Sequence, residues 1–357
     1  MQYRVLAINP GSTSTKISVF DDEKEVFVKT LRHDPAELDK VGSILDQDQF
    51  RKGLVLEAMK ENNVDPSTLD AVIGRGGLVR PVKGGTYNIS QKMLNDLKDP
   101  SIWGRTHASN LGAFIAKSIA EELRVPCFIA DPVTVDEFED IARISGIPEI
   151  ERKSLFHALN IRFTARKLAK ETNRDFSTLN MIGVHMGGGI TVAAIKKGNV
   201  VDVNNALLGM GPFSPQRAGA LPIGDVIDMC FSGKYSKKDL ENYFTKTAGL
   251  LAYLGTDDGR VVSERIEAGD QEAKRIFDAM IYQIGKDVGA CAAVLSGKID
   301  GIFLTGGLAY GKYLIEELNK RISFIAPVHV YPGEGEMEAL TMAAVRVLKG
   351  EEAARDY

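Results

Sequence analysis

The chain opens on a short unbroken apolar run, Val5-Leu6-Ala7-Ile8, too brief for an amphipathic helix and suited to a strand buried on both faces. It breaks at Asn9-Pro10-Gly11-Ser12-Thr13-Ser14-Thr15 and resumes as the alternating Lys16-Ile17-Ser18-Val19-Phe20, which predicts a hairpin with a small-residue tip. The pattern returns at 181–195, MIGVHMGGGITVAAI. Aligning Asn9 with His185 sets Gly11 on Gly187, Ser12 on Gly188, Thr13 on Gly189 and Thr15 on Thr191.

Around these hairpins the periodicity predicts alternating strands and helices. Leu38, Val41, Ile44 and Leu45, then Leu54, Leu56 and Met59, fall at helical spacing and read as helices packed on the first sheet, without chemistry. Leu69 to Ile73 reads as a strand ending in Gly74-Arg75-Gly76-Gly77, and Thr106 as the cap of a helix running to Leu123. Val125 to Ala130 is a strand closed by Asp131-Pro132. Beyond an irregular crossover, 136–148, a helix is expected from Glu151, carrying His157, Leu159, Phe163 and Leu168. Past the second hairpin come a Gly/Pro-rich loop, 209–219, and a long helix from Glu272 to Leu295, whose Gly285 and Gly289 suggest close helix packing. The strand Asp300 to Thr305 then enters Gly306-Gly307, and the strand Pro327 to Val330 precedes a last helix opening across Pro332 to Leu340.

Two similar hairpins about half a chain apart predict a duplicated α/β unit around a shared cleft. The length, 357 residues, sets about two domains as the prior. We place them at 1–150 plus 335–357 and at 151–334. Hydrophobic content of 44% and charged content of 26% are those of a globular protein, and a net charge of −4 gives no case for nucleic acid or an anionic membrane as partner. Cys127, Cys230 and Cys291 lie far apart with no CxxC, as expected of buried thiols in a reducing compartment. No leader or membrane span is apparent, so the expected location is the cytoplasm.

Any phosphate site must therefore be local. No side chain from Gly11 to Ser14 is large enough to block a phosphate, and exposed backbone N–H groups in such a tip form an anion nest. Alone, the segment is more often an ordinary turn, and its echo at Gly187-Gly188-Gly189 is what favours phosphate. Arg75 sits past a strand's C-terminal end, where open α/β sheets place ligands, although a lone loop Arg is more often an ion-pair partner. Asp131 is equally a turn former, His157 a satisfied core imidazole, and Glu334, Glu336 and Glu338 helix-dipole complements.

NPGSTSTK, from Asn9 to Lys16, resembles the first signature of the acetokinase family, within the acetate and sugar kinase, heat-shock chaperone and actin superfamily. The spacing and later motifs are most similar to its butyrate kinase branch. The resemblance implies an actin-like fold of two related α/β domains, the first on the acyl side and the second on the nucleotide side, with ATP/ADP and Mg2+ as cofactors. Asn9, Gly11, Ser12, Thr13, Ser14 and Lys16 from one hairpin, and His185, Gly187, Gly188 and Gly189 from the other, would meet the phosphates. Asp257 or Asp258 would border the adenosine, with Gly306 and Gly307 at the nucleoside and α-phosphate. Arg75 matches the Arg of Gly-His-Arg that faces the carboxylate. Gly74 replaces that motif's His, which on this reading leaves more room and puts acetate in doubt. Asp131 matches the Asp of Phe-Asp-Thr, His157 the His of Gly-Phe-His-Gly, and Arg217 the Arg of Gly-Thr-Arg-Ser-Gly. Glu336, with Glu334 as rival, matches the magnesium-linked Glu, beside Asn9 and Asp131.

The implied reaction is reversible phosphorylation of a short-chain fatty acid carboxylate, butyrate or a branched relative, to an acyl phosphate. Acetate or propionate as acceptor, a sugar kinase, and an actin- or chaperone-like ATPase are the competing readings. Kinship alone implies a homodimer or larger oligomer.

Overall fold

The computed structural model describes residues 2–104, 107–207 and 209–357. The chain divides into two compact units: unit 1 is Met1–Val135 with Gly335–Tyr357, and unit 2 is Asp136–Glu334. The segment 136–150, placed with the first domain from sequence, lies in unit 2, where Glu137 pairs with Arg162 at 2.9 Å and accepts from the Val200 N–H.

Unit 1 is built on a six-stranded sheet of order β3-β2-β1-β4-β6-β5. Its strands are β1 (Arg4–Pro10), β2 (Ser14–Asp21), β3 (Lys24–Arg32), β4 (Ala71–Arg75), β5 (Thr86–Asn88) and β6 (Cys127–Ala130). β1, β4 and β6 run parallel, and β1, β2 and β3 form an antiparallel meander. Leu6, Ile8, Ile17 and Val19 share a core with Val55 and Met59 of the Asp48–Glu61 helix and with Leu111, Ile115 and Ile119 of the Leu111–Leu123 helix. The Glu336–Leu348 helix also packs on β1 and β4.

Unit 2 carries a five-stranded sheet, β11-β10-β7-β8-β9, formed by β7 (Asn180–Met186), β8 (Ile190–Lys196), β9 (Asn199–Val203), β10 (Gly301–Gly306) and β11 (Val328–Pro332). Ile182, Val184 and Val192 pack with the Gln271–Val294 helix through Phe277, Met280 and Ile284. The Ala158–Glu171 helix packs on β7 and β10. Read from its meander edge, this sheet repeats the order of unit 1, with β9-β8-β7-β10-β11 matching β3-β2-β1-β4-β6. The fold is therefore a duplicated α/β architecture.

Several sequence expectations change. β3, β5 and β9 were not anticipated: β3 and β9 are edge strands whose polar alternation is weak, and β5 spans only Thr86–Asn88. The helix expected from Glu151 starts at Ala158, and the last helix starts at Glu336, after Gly335 in the left-handed region at φ 57°. Thr106, read as a helix cap, lies outside the described residues. Close packing fits Gly285, where a Cβ would stand 3.4 Å from Arg321, but not Gly289, where it would meet nothing within 4 Å.

The echo between the hairpins slips by one position on the return strand. His185 pairs with Thr191, but Asn9 pairs with Lys16, because tip 1 holds one residue more between its last paired positions, Pro10 and Thr15, than tip 2 holds between Met186 and Ile190. Lys16, not Thr15, is the counterpart of Thr191.

Candidate active site

In unit 1 the C-terminal ends of β1, β4 and β6 gather Asn9, Arg75 and Asp131. Arg75 closes β4, its register partner on β6 is Ala130, and Asp131 follows directly. The Arg75 guanidinium forms an ion pair with Glu336 Oε1, and Asn9 Nδ2 donates to Glu336 Oε2 at 2.6 Å. Arg75 Nη1 also stands 3.5 Å from Asn9 Oδ1. The structure thus groups Asn9, Arg75 and Glu336, whereas the rival Glu334 belongs to unit 2 and accepts from Asn160 Nδ2 through its backbone carbonyl. Asp131 is 4% exposed, takes the left-handed φ of 37°, and accepts the Gly85 N–H at 2.7 Å.

Gly74 does not supply the room expected of it. A Cβ there would stand 2.1 Å from the Gly112 carbonyl oxygen, so the space a side chain would need is filled by the backbone of the Leu111–Leu123 helix. Glycine at 74 permits the close strand–helix approach and does not enlarge an acyl pocket.

At the tip of the first hairpin Ser12 and Thr13 are exposed, and Lys16 is exposed on β2. Beneath the tip lies Arg51, fully buried and missed by the sequence reading. Its signal was there: Arg51 is four positions before Val55, on the buried face of a helix, where a cation needs a reason.

In unit 2 the rings of His157 and His185 stack with centroids 4.0 Å apart and 18° between planes. Hydrogen bonds link His157 Nδ1 to Thr191 Oγ1 and His185 Nδ1 to Asn160 Oδ1, each at 2.8 Å. His157 sits at the N-cap of its helix, and Asn160, one turn on, also donates to Thr305 Oγ1 and the Glu334 carbonyl. Both imidazoles are therefore fixed in orientation from Nδ1, and His185 Nε2 lies toward the tip, 3.2 Å from where a Gly187 Cβ would be. Arg217 lies over the same tip: a Cβ on Gly189 would fall 2.1 Å from Arg217 Nη1. Its loop is tied down by Ser214, which donates to the Gly188 carbonyl at 2.6 Å and accepts the Arg217 N–H at 3.1 Å. Arg217 itself donates to the Ala206 carbonyl.

Next to this tip unit 2 has a cavity of about 820 Å³ lined by Gly187, Gly188, Asp257, Asp258, Gly307 and Tyr310, among others. That is within the usual size of a small-molecule site. Asp257 accepts from Gln216 Nε2 at 2.6 Å. Asp258 caps the Gly259–Glu267 helix, and its hydrogen bond and ion pair with Arg260 hold its carboxyl down to about 2. Gly306 has a packing role: at φ 91° a Cβ would meet the Met186 carbonyl at 2.4 Å.

Residues 149–324 match the Acetokinase family. Over the full length of both chains the sequence is 52% identical to the probable butyrate kinase of Clostridium botulinum and to butyrate kinase 2 of Clostridium acetobutylicum. The chain belongs to the acetokinase family. Among solved structures this acetokinase aligns with Porphyromonas gingivalis acetate kinase at a TM-score of 0.81 and 17% identity, covering 98% of this chain and 100% of the other. At that identity the likeness speaks for the fold.

Among the described residues no group of at least three His, Cys, Asp or Glu side chains could cage a metal. Mg2+ needs no such cage, because it is commonly held by one or two carboxylates together with substrate phosphates and water. The Glu336 carboxylate is a hard donor of that kind, and the Asn9 side chain hydrogen-bonded to it carries a second hard oxygen, Oδ1, so the two residues fit that role in this acetokinase. No helix among the described residues is long and apolar enough to cross a membrane.

Proposed function

We propose that this acetokinase is a butyrate kinase, transferring the γ-phosphoryl group of Mg-ATP to the carboxylate of butyrate or a branched relative. The observation that carries the reading is the 52% identity, over full length, to proteins named butyrate kinase. A carboxylate oxygen attacks the γ-phosphorus in line, the bond to the β,γ-bridging oxygen breaks, and acyl phosphate and ADP result. A carboxyl with an ordinary pKa near ~4 is already ionised at neutral pH, so the reaction needs no general base. It needs alignment and positive charge around the equatorial oxygens.

In this reading unit 1 is the acyl side. Arg75 receives the acid, tip 1 with Asn9 and Lys16 receives phosphate, and Asn9, Asp131 and Glu336 would hold Mg2+, whose charge would offset that of the phosphates. Unit 2 is the nucleotide side. The cavity beside Asp257 and Gly307 takes the adenosine, His185 and the Gly187–Gly189 tip take phosphate, and Arg217 and His157 steady the transferring group.

Trapping with hydroxylamine tests the proposal. The protein with Mg-ATP should give acyl hydroxamate from butyrate, isobutyrate or a branched acid at a higher kcat/KM than from acetate. Failure to trap product from any acid overturns it, and a preference for acetate or propionate reassigns the acceptor.

A further inference from the structure

Among the described residues no carboxylate answers the charge on Arg51. The residue is fully buried, and its donors among the described residues go to neutral oxygens. Nε and Nη2 donate to Gln47 Oε1 at 3.1 and 2.8 Å. Nη1 donates to the carbonyls of Gly11 and Ser14 and to Thr15 Oγ1, at 2.8, 3.0 and 3.1 Å, and Nη2 also donates to the Ser12 carbonyl at 2.9 Å. The neighbouring His33 is no counter-ion. It is hydrogen-bonded to Thr15 Oγ1, and burial, reinforced by the Arg51 charge, keeps it neutral by holding its pKa down to about 4.

This guanidinium decides which way the tip faces. The carbonyls of Gly11, Ser12 and Ser14 are drawn onto Arg51, and the Thr13 carbonyl accepts the His33 N–H at 2.9 Å. With the carbonyls held inside, the Ser12 and Thr13 N–H groups find no acceptor among the described residues and face outward. A tip with its carbonyls retracted and amides presented is an anion nest. A buried charge left unpaired is strongly destabilising unless something answers it. Here the natural answer is an anion on the other side of the same loop.

We propose that Arg51 is a positioning residue for phosphate: it holds tip 1 in the nest conformation and lays a positive charge beneath it, whose counter-ion is the polyphosphate of the bound nucleotide. The proposal rests on the reading of tip 1 as a phosphate loop. Arg51 touches no reacting atom. It acts through the backbone of Gly11, Ser12 and Ser14.

The test compares ATP with adenosine, which lacks the phosphates, by calorimetry on the full chain carrying Arg51→Gln or Arg51→Lys. R51Q removes the charge. R51K keeps a charge but loses the planar fork that spans several carbonyls. Expected are a loss of ATP affinity of about tenfold or more in R51Q, a smaller loss in R51K, and adenosine affinity within twofold of the unsubstituted protein in both. ATP affinity within twofold in either folded variant overturns the proposal, as does an equal loss for ATP and adenosine, the signature of a general structural defect. Hydrogen exchange on the unsubstituted protein keeps the two readings apart and requires no variant to fold. ATP, and not adenosine, should slow exchange at Ser12 and Thr13. Bound ATP without that protection removes the phosphate-loop reading and Arg51 with it, whereas protection together with an R51Q of native ATP affinity removes only Arg51.

Discussion

Arg75 and Glu336 are joined in an ion pair that sets the proposed acid-binding cation against the proposed metal-linked carboxylate within unit 1. Each occupies the other's binding capacity. On the proposed roles, drawing Glu336 onto Mg2+ would uncover Arg75, and by linkage an acid on Arg75 would free Glu336 for metal. Butyrate should bind roughly tenfold more tightly with Mg2+ present than without, a coupling of ordinary size. Calorimetric titration with and without the metal reads this, and Glu336→Gln should abolish the difference. Equal affinity in the two conditions would sink the idea.

In the proposed mechanism Arg75 faces the attacking acid and Arg217 the transferring group, so both would stand beside charge that develops during transfer. Arg75→Ala and Arg217→Ala should each lower turnover by about 10²-fold or more, the usual cost of deleting a transition-state donor. A tenfold or smaller loss for both, in variants with native circular dichroism, would rule out their assigned roles.

Gly189→Ala probes Arg217 without touching it. The new methyl would collide with Arg217 Nη1, the far end of a flexible side chain, and not with backbone. Thermal stability should stay close to that of the unsubstituted protein while turnover falls toward the Arg217→Ala value. An unchanged rate would show that the guanidinium works from elsewhere.

Gly74→Ala should behave in the opposite way. Its methyl meets the Gly112 carbonyl, which cannot swing aside, so the expected outcome is a loss of about 3 kcal/mol or more in urea unfolding. A well-folded G74A with altered acid preference would restore the pocket-size role that the structure removes.

His33 gives unit 1 an acid-sensitive point. Folding lowers its pKa from the ordinary 6.5 to about 4, chiefly through burial and secondly through Arg51. Between those values the unfolded chain binds more protons, so stability rises with pH across the window. The contribution is complete above 6.5 and is lost as pH falls through about 4. Denaturation midpoints from pH 4 to 7 should flatten in His33→Gln, and an unaltered slope would contradict the assignment.

The duplication was legible because both hairpins announce themselves as continuous apolar strands around small-residue tips. Asn9, Arg75 and His185 could be singled out because motif and strand end coincide at each. Other features depend on information a single segment does not hold. Arg51 meets a tip forty residues earlier in the chain, and nothing in the helix carrying it names that target. The missing side chain at Gly74 reads as open space until the helix backbone opposite is seen. The slip between Thr15 and Thr191 arises from tip length, which an alignment pinned at Asn9 and His185 cannot register. β3 and β9 failed to stand out because neither keeps the regular apolar–polar alternation that marks a strand.

Glu336 reaches its place on unit 1 only after the whole of Asp136–Glu334 has been threaded through the chain. A ribosome therefore releases the meander, β4 and β6 long before the carboxylate that answers Arg75 has been translated. Domains made early tend to fold early, and the nascent first unit must wait with an unanswered guanidinium at its strand ends until the intervening residues are complete. Assembly of the corner that joins Asn9, Arg75 and Glu336 is thereby timed to follow synthesis of unit 2.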